Sequence, residues 1–249
     1  ERNTITENIP EIMVMEEMKQ KRKAYILERG VYDNYGAEVQ PDVPAAILPF
    51  GNDLPKNRLG LAKWLMDPKN PLTARVVVNR YWQTYFGTGL QKNADNFGNQ
   101  GGMPSHPALL DWLAIRFRES GWDVRAMQKL IVLSATYKQS SYASTELLKK
   151  DPENILLARG PAFRLTAEMV RDAALTASGL LSPTIGGASV KPYQPDGVWA
   201  VNSEVYHQDT GSALYRRSLY TFWRRTNPPP SMSTFDAPMR SSCTVQRQK

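Results

Sequence analysis

A chain of 249 residues with 41% apolar content holds enough hydrophobic material for one large domain or two small ones, which excludes an unstructured tail. No apolar run approaches the ~20 residues that span a bilayer, and ERNTITENIPEIMVMEEMKQ lacks the basic-then-apolar order of an export signal. The net charge of +7 suits anionic partners but is modest for this length, and the single cysteine, Cys243, excludes an internal disulfide, a CxxC pair and the CxxCH of covalent haem attachment.

In chain order, MVMEEM and KAYILERG read as two short β-strands, and VYDNYGAEVQPDVPAAILP, with its three prolines, as an extended connector. A first helix starts at Asn57 and ends before Pro68, with Leu61, Trp64 and Leu65 on its stripe. DPKNPLTARV breaks the pattern, and helix resumes near Leu72. Val78, Tyr81, Trp82, Tyr85 and Phe86 then follow i, i+3, i+4, i+7, i+8, which places them on one face, and Gly87 stands where a left-handed C-terminal cap belongs. The segment GTGLQKNADNFGNQGGMPS is longer than most connections in compact domains, so it either carries function or is held by its own contacts.

Ser105 as N-cap and Pro107 in the first turn open a helix that buries Leu109, Leu110, Leu113 and Phe117 and stops at Gly121. Asp123 caps the next, with Met127, Leu130, Ile131, Ser134 and Tyr137 on one face. A polar linker containing DPEN leads to a helix capped by Thr166 and packed through Met169, Val170, Ala173 and Ala177. From Ser182 the chain is Pro/Gly-rich and irregular, apart from ALYRRSLYTFWRR, the best strand candidate of the C-terminal third. There is no internal repeat. The expected fold is mainly α: a helical core with a few short flanking β-strands and long irregular Pro/Gly-rich loops.

RLGLAKWLMDPKNPLTARVVVNRYWQTYFGTGL, DNFGNQGGMPSHPALLDWLA, SGWDVRAMQKLIVLSATYKQSS, DPENILLARGPAFRL and GLLSPTIGGASVKPYQPDGVW, in this order, resemble the planctomycete-type cytochrome c-associated domain of unknown function. The match spans roughly residues 58 to 249, and IMVMEEM through RGVYDNYGAEVQPDVPA resembles the connector that precedes this domain. The resemblance implies an exported, periplasmic protein of planctomycetes or related bacteria whose full form carries a c-type cytochrome module. With no haem motif in the chain, it implies no cofactor here and haem c on a missing domain or on a partner. It divides the chain into 1–56, two strands and a connector from a preceding domain, and 57–249, a helical domain truncated after FDAPMRSSCTVQRQK, so that the chain is a fragment. It brings no catalytic residues with it.

The residues themselves offer several candidate sites. Arg75, Asn79 and Arg80 beside the aromatic stripe could hold a sugar or peptide against a wall of rings, or tie the carbonyls of the following loop to the helix. His106 at a helix start, with Asp95 and Asp111 near in sequence, is a candidate general base or hydrogen-bonded cap; its spacing fits no zinc or iron pattern, so no metal is expected. His207 is equally isolated. Glu168 and Asp172 share a helix face and could divide acid and base roles, or form an ion-pair lattice with Arg164 and Arg171.

Arg216, Arg217, Arg224 and Arg225 interleave with aromatics as in single-strand nucleic-acid binders, but a strand would split them between two faces, so nucleic acid is not the expected partner. Tyr193 and Trp199, in an irregular loop, are candidates for carbohydrate contact. No P-loop, GxSxG elbow or dinucleotide fingerprint is present. Two functions therefore stand. One is an interaction or scaffold module that docks to other domains or chains of an exported assembly, among them a c-type cytochrome; the other is a polysaccharide-directed enzyme or binding domain, oxidative if its electrons leave through that cytochrome. An enzyme requires a pocket joining His106, Asp111, Asn79, Arg80 and the Glu168 helix, whereas a scaffold requires those groups paired internally and apolar patches outside.

Overall fold

The computed structural model describes residues 12–199 and 205–238; the expectations placed on Cys243 and on the C-terminal truncation lie outside them. The fold is mainly α, and the chain divides into two compact units, one through Arg75 and one from Val76. Among the described residues no helix is long and apolar enough to cross a membrane.

The first unit holds β1, Ala24–Leu27, and β2, Tyr35–Val39, an antiparallel pair with Ala24 opposite Val39 and Leu27 opposite Tyr35. KAYILERG thus supplies a strand, but MVMEEM does not, and the second strand falls inside the stretch read as connector. The turn explains this. Arg29 and Gly30 take left-handed backbone angles and the Glu28 N–H donates to the Asn34 carbonyl, which returns the chain directly alongside β1. Stacking of Tyr25 on Tyr35 at 4.8 Å reinforces the pairing.

Helix α1, Arg58–Leu65, starts where the Asn57 side chain accepts from the Gly60 N–H. Trp64 is its buried anchor and donates Nε1–H to the Leu48 carbonyl, while Leu61 and Leu65, expected on the same stripe, are exposed. Asn70, also buried, accepts from the N–H groups of Leu72 and Thr73 and so starts α2, Thr73–Phe86.

The core of the second unit joins α2 to α3, Pro107–Glu119, and α4, Val124–Leu133. Val78, Trp82, Leu90, Leu110, Leu113, Phe117, Met127 and Ile131 form one buried cluster, with Tyr81, Tyr85 and Phe86 packed at its margin. Gly87 ends α2 with φ +80°, its N–H donating to the Gln83 carbonyl. His106, not Ser105, occupies the N-cap of α3, and it makes no capping bond through its side chain. Ser105 instead turns its hydroxyl to the Leu90 carbonyl. Helix α4 stops at Leu133 because Ser134 caps a separate short helix, α5, Ala135–Lys138. The polar linker contains a further helix, α6, Thr145–Lys150.

Two expectations for the C-terminal part are overturned. Helix α7, Ala167–Ala177, is capped by Thr166, yet Met169, Ala173 and Ala177, expected in the core, are exposed, and Ala167 is the fully buried residue. ALYRRSLYTFWRR is not a strand but two 3-10 turns, Gly211–Tyr215 and Ser218–Tyr220, joined by single bridges from Arg216 to Ser182 and from Thr221 to Val190. A last short helix, α8, Pro230–Ser233, packs near α7. Polar side chains cause both outcomes, as the site geometry makes plain.

Candidate functional site

Asn79 is fully buried and grips the loop after α2. Its Nδ2 donates to the Gln91 carbonyl at 3.0 Å and its Oδ1 accepts from the Gln91 N–H at 2.8 Å. A Cβ on Gly89 would lie 2.6 Å from Asn79 Nδ2, so the close approach of loop to helix requires glycine there. The buried Gln91 side chain then donates to the Gly102 carbonyl, and Asn93 to that of Gly101. Arg80, about 100° further round the helix, is exposed, so the two neighbours do not share one site. Arg75, in the first unit, donates to the Pro71 carbonyl.

A second loop, residues 151–160, is built as firmly. The buried Asp151 carboxylate accepts from the N–H groups of Ile155 and Leu156, each at 2.8 Å. Buried Arg159 donates to the carbonyls of Asp151 and Pro152, and Asn154 donates to that of Arg159. Within this frame Asn154 and Leu157 sit at φ 55° and 54°, a region costly for a residue such as leucine unless its surroundings impose it. Gln139 Nε2 supplies part of that constraint by donating to the Leu157 carbonyl at 2.7 Å. The loop holds Ile155 49% and Leu156 71% exposed at its tip.

Between the two loops lies a cleft of about 280 Å³. Trp82 and Phe86, stacked at 4.1 Å, form its floor with Leu90 and Leu157, and Met103 and Ile155 face it from either loop. The ion pair of Lys92 and Glu153, at 2.7 Å, crosses the mouth. The floor is apolar and the two charged groups that line the cleft, Lys92 and Glu153, are paired with each other, so this site can take an apolar side chain. In sequence, residues 151–160 read as part of a polar linker. The available signal was an aspartate followed by the turn formers Pro152 and Asn154, with two large aliphatics just after them.

The predicted catalytic residues are not brought together. His106 is half-buried, with Nδ1 3.0 Å from Ser105 Oγ, and Asp111, further along α3, already has a partner. Glu168 and Asp172 lie on α7, where Asp172 accepts from the Ser218 N–H at 2.7 Å and faces Arg217 at 3.6 Å. Arg171 donates to the carbonyls of Leu214 and Arg216, and burial pushes its pKa down from the ordinary arginine value. Arg216, itself buried, donates to the carbonyls of Thr184, Gly186 and Ala188 and lies over the Tyr220 ring. This arginine framework turns the polar side of α7 inward and leaves its apolar side open. A groove of about 440 Å³ results, lined by Met169, Ala173, Leu181 and Ile185; of the candidate site residues singled out in the sequence, Asp172 and Arg217 touch it, and none lines the cleft.

Trp199 is 7% exposed, donates to Gln194 Oε1 and packs on Tyr206, with the Arg224 guanidinium over its ring, so of the two candidate aromatics Tyr193 is the one at the surface. Burial, helped by Asp209, pushes the Tyr206 phenol up to about 12, and the phenol donates to the Pro192 carbonyl. A raised folded pKa means that this contribution to stability is complete below the unfolded value near 10 and is lost as pH rises toward about 12. Alkaline unfolding in that window should be shallower in Tyr206→Phe, with tyrosinate absorbance recording the delayed ionisation. Equal slopes would remove Tyr206 as the cause.

Among the described residues no group of His, Cys, Asp or Glu could hold a metal ion. The family model described as protein of unknown function (DUF1553) matches residues 57–249. No curated protein and no solved structure matches the chain.

Proposed function

We propose, from the premise that the chain belongs to the DUF1553 family, that it is a non-catalytic interaction module of an exported assembly linked to a c-type cytochrome. The observation that carries this reading is the loop of residues 151–160. Two buried side chains, Asp151 and Arg159, and two strained backbone positions serve only to hold Ile155 and Leu156 outward beside an apolar cleft. A surface that presents rigid apolar side chains lowers the entropy cost of association, as an anchor for a partner should. The groups an enzyme would need are used elsewhere: Asn79 in the loop clamp, and Asp172 and Arg171 in holding residues 214–218. A polysaccharide-directed role would rest on Tyr193, since Trp199 is enclosed.

The assembly supplies the chemistry in this reading, with haem c on another domain or chain. Purification of the native protein from its producing cells should bring haem absorbance with it. Leu156→Asp, at an exposed position, should leave stability within ~0.5 kcal/mol of the parent and weaken association with the copurifying partner by about 30-fold, roughly 2 kcal/mol. Unchanged association would sink the loop as the anchor; absence of haem from every complex would sink the cytochrome link.

A further inference from the structure

We infer that the groove between α7 and residues 181–185 binds an unbranched aliphatic carboxylic acid, with its chain along the apolar walls and its carboxylate on Arg217. Met169, Ala173 and Thr176 fall at i, i+4 and i+7 on α7 and form one wall over ~10 Å. Leu181, Pro183 and Ile185 form the other. That second wall is held in place: the Leu181 and Ser182 N–H groups donate to the Leu175 and Tyr215 carbonyls, and Arg216 donates to the carbonyls of Thr184 and Gly186. The volume of about 440 Å³ lies in the range of small-molecule sites.

The groove also contains a positioned cation. The backbone on both sides of Arg217 is tied to α7, the Arg216 carbonyl by Arg171 at 2.9 Å and the Ser218 N–H by Asp172 at 2.7 Å. The guanidinium itself is under-used, for its Nε stops 3.6 Å from Asp172 Oδ2 and its side chain donates no hydrogen bond among the described residues. Asp172 interacts electrostatically with Arg171 as well, so one carboxylate is shared by two arginines and a positive excess remains. A guest carboxylate complements it, and a planar fork can hold both oxygens. An acyl chain suits the walls better than a peptide ending in the same carboxylate, because peptide amides need partners. Here the Thr176 hydroxyl is spent on the Asp172 carbonyl, the Leu181 and Ser182 N–H groups are taken, and Pro183 has none.

Octanoate is the probe. In an NMR titration of the purified chain it should shift the methyl signals of Met169 and Ile185; octanol should bind at least ~tenfold more weakly, and hexanoate, two methylenes shorter, at least ~fivefold. Arg217→Gln should erase the preference for acid over alcohol and leave octanol binding unchanged, whereas Ile185→Asp should abolish binding of both. Both positions are exposed, Arg217 at 54% of its side chain and Ile185 at 84%, so loss of fold does not confound the test. The assignment is independent of the loop of residues 151–160, and shifts centred on Met103 would move the acid to the cleft and overturn it. Undiminished octanoate binding by Arg217→Gln, or tighter binding of an acetylated peptide with a free C-terminal leucine, would overturn it equally. So would self-association that Ile185→Asp abolishes, which would give the groove to a second copy of the chain.

Discussion

Replacing Asn79 by alanine should destabilise the second unit by about 3 kcal/mol, because a buried polar group left without its partner costs ~1–3 kcal/mol and here two lose theirs at once. The Gln91 N–H and carbonyl both depend on the Asn79 amide, and the site is closed to water by Gly89 and the helix. A cavity where the amide stood adds to the loss. For a unit of this size the expected fall in Tm is roughly 6–12 °C. Asn79→Asp should do no better, since it sets a second oxygen against the Gln91 carbonyl. Thermal unfolding by circular dichroism checks the magnitude, and limited proteolysis between Lys92 and Met103 checks the mechanism. A loss below ~1 kcal/mol would mean that the loop repositions and supplies substitutes.

Arg216→Leu should cost a similar amount, about 3 kcal/mol, and its damage should be local. Its guanidinium gathers three carbonyls of the Thr184 to Ala188 stretch, and the loop has no regular structure to hold it otherwise. Hydrogen exchange in residues 184–190 should therefore accelerate before global stability is exhausted. Lysine at the same place should recover less than half of the loss, because a single ammonium cannot reproduce a planar fork. Arg217→Leu is the control. That side chain is 54% exposed and lies 3.6 Å from Asp172, so its removal should change stability by no more than ~0.5 kcal/mol. Equal effects of Arg216→Leu and Arg217→Leu would refute the carbonyl framework as a source of stability.

The legible parts of this fold are those governed by near neighbours in the chain. Capping by Asn57, Asp123 and Thr166, the left-handed stop at Gly87, and the stripe through Val78 and Trp82 all depend on residues within a turn or two of each other. The failures share another property. Leu61, Leu65, Met169 and Ala177 have the right period for burial, but periodicity names a face without naming what that face meets. The segment from Ala213 to Arg225 has strand composition and, over Arg216 to Leu219, even a strand-like alternation of exposure, yet it lacks a continuous partner and is shaped instead by Arg171, Asp172 and its own Arg216.

The candidate site divides in the same way. That the loop after α2 would be either functional or clamped was readable from its length and its Gly/Asn content, and the clamp is Asn79. The cleft beside it was not readable, because its other wall comes from residues 153–157, some sixty positions on, as the Lys92 to Glu153 pair shows. Trp199 likewise looked available for a ligand, and only packing against Tyr206 and Phe222 takes it out of reach.

By itself the sequence determined the helical class, the helix boundaries set by caps, and membership of a family through the order of its motifs. Only the tertiary structure decided which polar residues hold the fold and which apolar ones are displayed. The physical reason is range: helix propensity and capping act over a few residues, whereas burial and the satisfaction of carbonyls are settled by whichever distant segment arrives beside them.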